Sequence, residues 1–248
     1  DIEKAAKPFQ NTEKKIGDVT VIQHEVATND IAYLGLYFDI NDLESYMPQL
    51  SILTTLLGYM NTENYSYTEF DTETNFHTGG IASDVHIYCQ DDDSAKYTLQ
   101  FEVRTKVLKE KIGEAFRLLQ EMMFHTQFDD IKHLREVIAE ARSRLKVRLM
   151  TAGHQAAATR TTSYYSKSAW LQDHYAGMGY YEYLRELDEH FEERQEEFRR
   201  DLGTLLQKIF AKARLTVSVT GKDDIFDEVV KQFPIFEEQL KTFETGLD

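Results

Sequence analysis

Only one cysteine, Cys89, and three prolines, Pro8, Pro48 and Pro234, occur in this chain. A lone cysteine excludes an internal disulfide and any multi-cysteine metal site. Cys89 falls at an apolar position of an expected strand, so it reads as a small core residue rather than a nucleophile. No stretch reaches the ~18 apolar residues of a membrane span. No proline-rich or Gly/Ser-rich linker divides the chain. Basic residues are scarce too: 28 Lys and Arg stand against 43 Asp and Glu, a net charge of −15. Nucleic-acid binders need a basic footprint to neutralise phosphate, so this balance argues against nucleic acid and against anionic membranes. The chain opens Asp-Ile-Glu-Lys, with neither methionine nor an apolar signal segment, which leads us to expect a piece of a longer protein. Apolar residues make up 42%, enough for a substantial core.

Residues 1–17 are charged and aperiodic and read as an arm or linker, with one domain expected over 18–248. Val19–Ala27 and Ile31–Ile40 read as strands joined at Thr28-Asn29-Asp30. Ala32, Leu34, Leu36, Phe38 and Ile40 share one face by period two, and the two strands are expected to pair as a hairpin. A helix follows from about Leu43 to Leu57, stopped by Gly58. Ser66 with Glu69 three residues later has the spacing of a capping box opening another. After Gly79-Gly80 come two strands, with Ile81, Val85, Ile87 and Cys89 inward on the first and Tyr97, Leu99, Phe101 and Val103 on the second. Asp91-Asp92-Asp93 reads as their loop.

The next hundred residues carry helical periodicity. Leu108, Ile112, Ala115, Leu119 and Met122 form one stripe. Ile131, Leu134, Ile138, Ala141, Leu145 and Leu149 form the next, and Leu184, Leu187, Phe191, Phe198, Leu202 and Leu205 a third. The charges of the third helix, including Glu196 and Arg200 four apart, fill its other face. A strand with Leu215, Val217 and Val219 inward and a helix from Asp223 to about Phe233 close the chain. Hairpins with segregated helices imply an α+β fold: a mostly antiparallel sheet covered on one face by helices.

No phosphate-binding glycine loop and no Gly-x-Ser-x-Gly elbow occurs. A hydrolytic zinc site needs two ligands one helical turn apart and a carboxylate to activate water. His133 with Glu136, and His190 with Glu193, each supply half of that. Each lacks the second histidine, and a solvated helix face accounts for both. His86 lies on the polar face of a strand, where it is solvated or paired. His77 precedes a glycine turn and suits a bond to backbone. His154 sits beside Gly153 at a break between helices, with Arg160, Tyr164 and Tyr165 near in sequence and Trp170 a little beyond. Such groups could meet a peptide backbone, a carboxylate or a neighbouring domain, or they could simply join two helices. The rings of Trp170, Tyr175, Tyr180, Tyr181 and Tyr183 form either an interdomain surface or part of the core.

The stretches "TNDIAYLGLYFDI", "LLGYMNTENYSYTEF", "TNFHTGGI" and "MTAGHQAAATRTTSYYS", in that order, resemble the presequence-protease branch of the insulinase (pitrilysin) zinc metallopeptidases. The resemblance covers about Val19 to Phe233. Such enzymes are chains of four similar domains closing around an unfolded peptide, with an inverted His-x-x-Glu-His zinc motif on a helix of the first. This chain resembles the third, non-catalytic domain. Laid on the zinc helix, Ile52 and Leu56 stand where the histidines would be, and Thr55 stands where the base would be. The resemblance therefore implies no cofactor in this chain, zinc in the parent protein, and the parent's other domains and unstructured peptides as partners. It also implies a cytoplasmic location, or an organelle matrix in a eukaryote. The alternative is a free-standing, non-catalytic interaction subunit that pairs with an active partner. An independent hydrolase built on His154 lacks a readable base or metal constellation.

Overall fold

The computed structural model describes residues 11–89 and 96–245. Its strands are β1 (Asn11–Ile16), β2 (Val19–His24), β3 (Ile31–Asp39), β4 (Ile81–Cys89), β5 (Tyr97–Leu108) and β6 (Leu215–Thr220). They form one sheet in the order β1-β2-β6-β3-β5-β4. Pairing is antiparallel except between β2 and β6, so the sheet is mixed and the fold is α+β.

Two expectations fail here because strand pairing is set at a distance. The turn forms as read, with Asn29 and Asp30 at positive φ and Ile31 N–H donating to Thr28 O at 3.2 Å. But β2 and β3 do not pair, because β6 inserts between them and sets Leu36 opposite Val217 and Val217 opposite Val21. Nor do residues 1–17 form an arm throughout. Asn11–Ile16 pairs along β2 as an edge strand, and edge strands tolerate charge because one side stays in water. Residues 1–10 and Asp91-Asp92-Asp93 lie outside the described residues.

Leu34, Leu36, Phe38, Leu99, Phe101, Val103, Val217 and Val219 face one way and are buried. The helices cover that face: α1 (Met47–Leu56, after a 3-10 turn), α3 (Ile112–Phe124), α4 (Ile131–Thr151), α7 (Met178–Glu189), α8 (Phe191–Ile209) and α9 (Asp223–Thr245). α2 (Tyr67–His77) starts at the capping box read from Ser66 and Glu69. α5 (Gly153–Thr162) and α6 (Lys167–Ala176) join α4 to α7. Gly58, just past α1, has φ +89°, which a side chain would oppose. No described helix is long and apolar enough to cross a membrane.

Several boundaries differ from the sequence reading. The third helix breaks at His190 into α7 and α8, and Arg194 reaches back across the break to Glu186 at 2.9 Å. α9 continues through Pro234 instead of stopping at Phe233. The lost helical bond costs about 3 kcal/mol, and Phe236 and Leu240 offset it by burying completely, Phe236 against Phe116 and Phe124. Cys89 is exposed at the end of β4, and Leu108, expected to open a helical stripe, is the last residue of β5 and is exposed on the face it shares with Arg104 and Lys106.

Strand β4 is the sheet's other edge, and α6 lies along it. Val85 N–H, turned away from β5, meets Tyr175 Oη at 3.3 Å, and Tyr175 donates to Asp84. Since β6 ties the first segment to the rest of the sheet, we expect thermal unfolding in a single transition. Two separated calorimetric transitions would contradict that expectation.

Candidate functional site

Helix α1 is where the resemblance puts a metal helix. Ile52 and Leu56 are fully buried in the core, so these positions hold hydrocarbon in a dry environment. Thr55 borders a cleft of about 300 Å³ between α1 and α4, with Thr54, Tyr59, Glu140, Arg144 and Arg148 around it. Its one carboxylate, Glu140, is paired with Arg144, and Arg148 donates to Ala176 O at 2.8 Å. Among the described residues, no group of three His, Cys, Asp or Glu is placed to hold a metal ion. His133 Nε2 donates to Tyr59 O at 2.8 Å and the ring stacks on Tyr67, while His190 lies 3.9 Å from Glu193 on the surface.

The segment singled out around His154 divides. His154, Tyr164 and Tyr165 are exposed, and α5 buries no residue at all. Arg160 does bind a carboxylate, but an internal one: its Nη1 donates to Asp173 Oδ2 at 2.7 Å. Asp173 is completely buried. It also accepts from Met178 N–H at 3.0 Å and Gly179 N–H at 3.1 Å, capping the start of α7. A Cβ on Gly177 would sit 2.6 Å from Asp173 Oδ1, so the glycine gives the carboxylate its room. The two glycines that follow Asp173, Gly177 and Gly179, are the sequence signal for this knot, and the reading of the sequence overlooks it. Trp170 is half-buried and stacks on His174 with Lys167 above its ring. Tyr180 is buried, and Trp170, Tyr175, Tyr181 and Tyr183 pack half-buried against the core. Of the two readings open for these rings, Tyr180 joins the core, and the other four lie at its margin with part of each ring still exposed.

A second arrangement, also absent from the sequence reading, lies on the sheet face that none of the described helices covers. Side chains there form three rows across β6, β3, β5 and β4. The first row is Thr216, Tyr37, Glu102 and Asp84; the second is Ser218, Gly35, Arg104 and Ala82. In the third, Thr220, Tyr33 and Lys106 stand side by side, with the Gly79-Gly80 turn beyond. Glu102 is the hub. Tyr37 Oη donates to its Oε1 at 2.7 Å, and His86 Nε2 and Arg104 Nη1 meet its Oε2 at 2.8 and 2.5 Å. Burial opposes its ionisation, but the bonds from His86, Tyr37 and Arg104 outweigh burial and hold its pKa below the usual carboxylate range. Burial and the same carboxylate push the Tyr37 hydroxyl well above its ordinary value. The alternation of Glu102, Arg104 and Lys106 along β5, in phase with Tyr33, Gly35 and Tyr37 along β3, is the signal the sequence carries for it.

A mixed sheet with one helical cover and one open polar face defines an α+β domain. Residues 1–187 match the family described as Peptidase M-16C associated, and the chain belongs to that family. It is 28% identical over 228 residues to Protein HypA of Clostridium perfringens, a match that covers 92% of this chain and 23% of that protein. It is 26% identical to the mitochondrial presequence protease of Drosophila melanogaster, over 88% of this chain and 21% of the relative. Presequence protease 1, chloroplastic/mitochondrial, of Arabidopsis thaliana is 24% identical over 93% of this chain and 21% of its own length. The chain thus spans less than a quarter of each of these relatives. A crystal structure of a conserved protein from Enterococcus faecalis V583 shares the fold, with TM-score 0.60 and 13% identity over 90% of this chain and 51% of that one.

Two outcomes are expected. Asp173→Ala strands two backbone donors and a partly buried guanidinium, so it should cost about 3–5 kcal/mol in urea unfolding at pH 7; a loss under ~1 kcal/mol would refute the knot. For Glu102 the folded pKa is depressed, so its contribution is present above the usual value of about 4.5 and fades as pH falls through the lower folded value. The stability gap between the unsubstituted chain and Glu102→Gln should therefore be full at about pH 6–7 and shrink below about pH 4. A gap that widens on acidification would reverse the sign and reject the network.

Proposed function

We propose that this chain is a non-catalytic domain of a zinc metallopeptidase that degrades unstructured peptides. Its open sheet face forms part of the wall of the chamber enclosing them. The observation that carries this reading is α1: Ile52 and Leu56 fill the core at the positions the resemblance gives to zinc ligands. Hydrocarbon cannot coordinate a cation, and Thr55 cannot act as a general base for water. Membership of a peptidase-associated family and the short span relative to presequence proteases support a part within a larger enzyme. The partners are then the other domains of the parent chain and its peptide substrates, with zinc held elsewhere in the parent. The exposed His154, Tyr164 and Tyr165, together with Arg160 and Trp170 behind them, are offered as contacts to those domains or to peptide. The cytoplasm or an organelle matrix suits such an enzyme, and the relatives' printed names include mitochondrial and chloroplastic forms.

The test uses the 248-residue chain, chelator-treated and then reconstituted with zinc, and a quenched-fluorophore peptide. Expected are no cleavage and no stoichiometric tight zinc. One-to-one zinc with chelator-sensitive cleavage would overturn the reading and return attention to an independent hydrolase.

A further inference from the structure

The second row on the open face is a gap between two walls. Ser218, Gly35 and Ala82 raise almost nothing above the sheet, while Tyr37 stands in the row on one side and Tyr33 in the row on the other. The Tyr37 ring leans over Gly35: a Cβ there would lie 2.7 Å from its Cε2. Glu102 holds the ring in that position by its hydroxyl. The result is a depression of about 470 Å³ lined by Tyr33, Gly35, Tyr37, Arg104, Lys106 and Ser218, among others.

Its charges are unusual for a chain at −15. Arg104 and Lys106 line it, against the single carboxylate of Glu102. That carboxylate is already shared among Tyr37, His86 and Arg104. Arg104 commits one nitrogen to it, is about half exposed, and has Nε and Nη2 without a hydrogen-bond partner among the described residues. Lys106 makes no ion pair among the described residues. Its stem lies on Gly79, where a Cβ would come within 2.4 Å of Lys106 Cε. Two cations, hydroxyls from Ser218 and Thr220, and two tyrosine rings therefore surround a gap larger than a simple anion needs.

We propose that this depression binds the carboxyl terminus of an unstructured peptide, resting on the reading of the open face as a peptide-facing wall. The terminal carboxylate lies between Arg104 and Lys106, where charge-assisted bonds are strongest. The last side chain lies against the Tyr33 and Tyr37 rings. Capture of a chain terminus needs no particular sequence, which suits a protein that handles many peptides. Affinity for a single contact of this kind is weak, on the order of 0.1–1 mM, and falls with added salt.

The experiment is anisotropy titration of the 248-residue chain, in chelator, with a labelled uncharged decapeptide ending in a free carboxylate. Its C-terminal amide and an amide carrying one internal glutamate are the comparison ligands. The free acid should bind, and both amides should bind about tenfold more weakly or less. Lys106→Gln should weaken the free acid about tenfold, and Ala82→Leu, which fills the gap without altering charge, should do the same. Circular dichroism and urea midpoints show whether either variant stays folded; two substitutions from different strands keep the test decisive. Equal binding of acid and amide, binding that follows the internal glutamate instead, or no binding of the free acid at about 5 mM would each overturn the proposal. Chelator removes hydrolysis from the measurement, so a failure here leaves the non-catalytic reading standing, and zinc-dependent cleavage would sink that reading without touching this one.

Discussion

The fold depends on β6 arriving between β2 and β3. Within the described sheet, β1 and β2 join β3, β5 and β4 only through that strand. Val217 is fully buried with Val21 on one side and Leu36 on the other. The loop it closes is long, but closure entropy grows only logarithmically with length, and burying each valine or leucine returns about 1.5–3 kcal/mol. The family match ends at residue 187, before β6 begins. The segment that completes the sheet thus lies beyond the matched residues.

That closure creates two unlike faces, and the division of labour follows from them. The covered face is mainly hydrocarbon, and α1 sets Ile52, Leu53 and Leu56 into it. The open face keeps its polar groups bonded to one another around Glu102, which fixes ring and guanidinium positions without a helix to hold them. A carboxylate nearly closed off from water is costly unless it is well bonded, and here three donors meet it. The same knot logic recurs at Asp173, where a buried acid fixes the entry to α7 and anchors Arg160 of α5.

Local patterns are legible in the sequence wherever the cause is local. Period-two alternation locates the inward faces of β3, β5 and β6, and Ser66 with Glu69 marks the start of α2. Helical spacing locates α3 and α4. What escapes reading is set by distant partners. Nothing near Thr28-Asn29-Asp30 announces that β6 will part the two strands it joins. The charged segment before Val19 becomes β1 only because β2 offers it an edge. Pro234 ends a helix by local rules, yet Phe236 and Leu240 carry α9 past it. Arg160 reads as a free binding group because its partner, Asp173, is brought to it only when α6 folds back against α5. For Glu102 the letters are visible, but their meaning lies in the register of four strands.

The α6 hydroxyl laid against β4 has a consequence for crowded solution. An open sheet ends in two rows of unsatisfied backbone groups, and such rows recruit strands from other molecules into fibres. On β4, the Val85 N–H donates to Asp84 Oδ1 at 2.9 Å and to Tyr175 Oη at 3.3 Å, and Tyr175 donates to the same Asp84, so an incoming strand finds that point of the ladder taken. At the opposite border β1 carries Lys14 and Lys15, whose charge resists stacking of identical copies. Both borders are thereby made poor templates for self-association. Under the proposed reading of the open face, such borders also keep the domain from being drawn into aggregates of the peptides it meets.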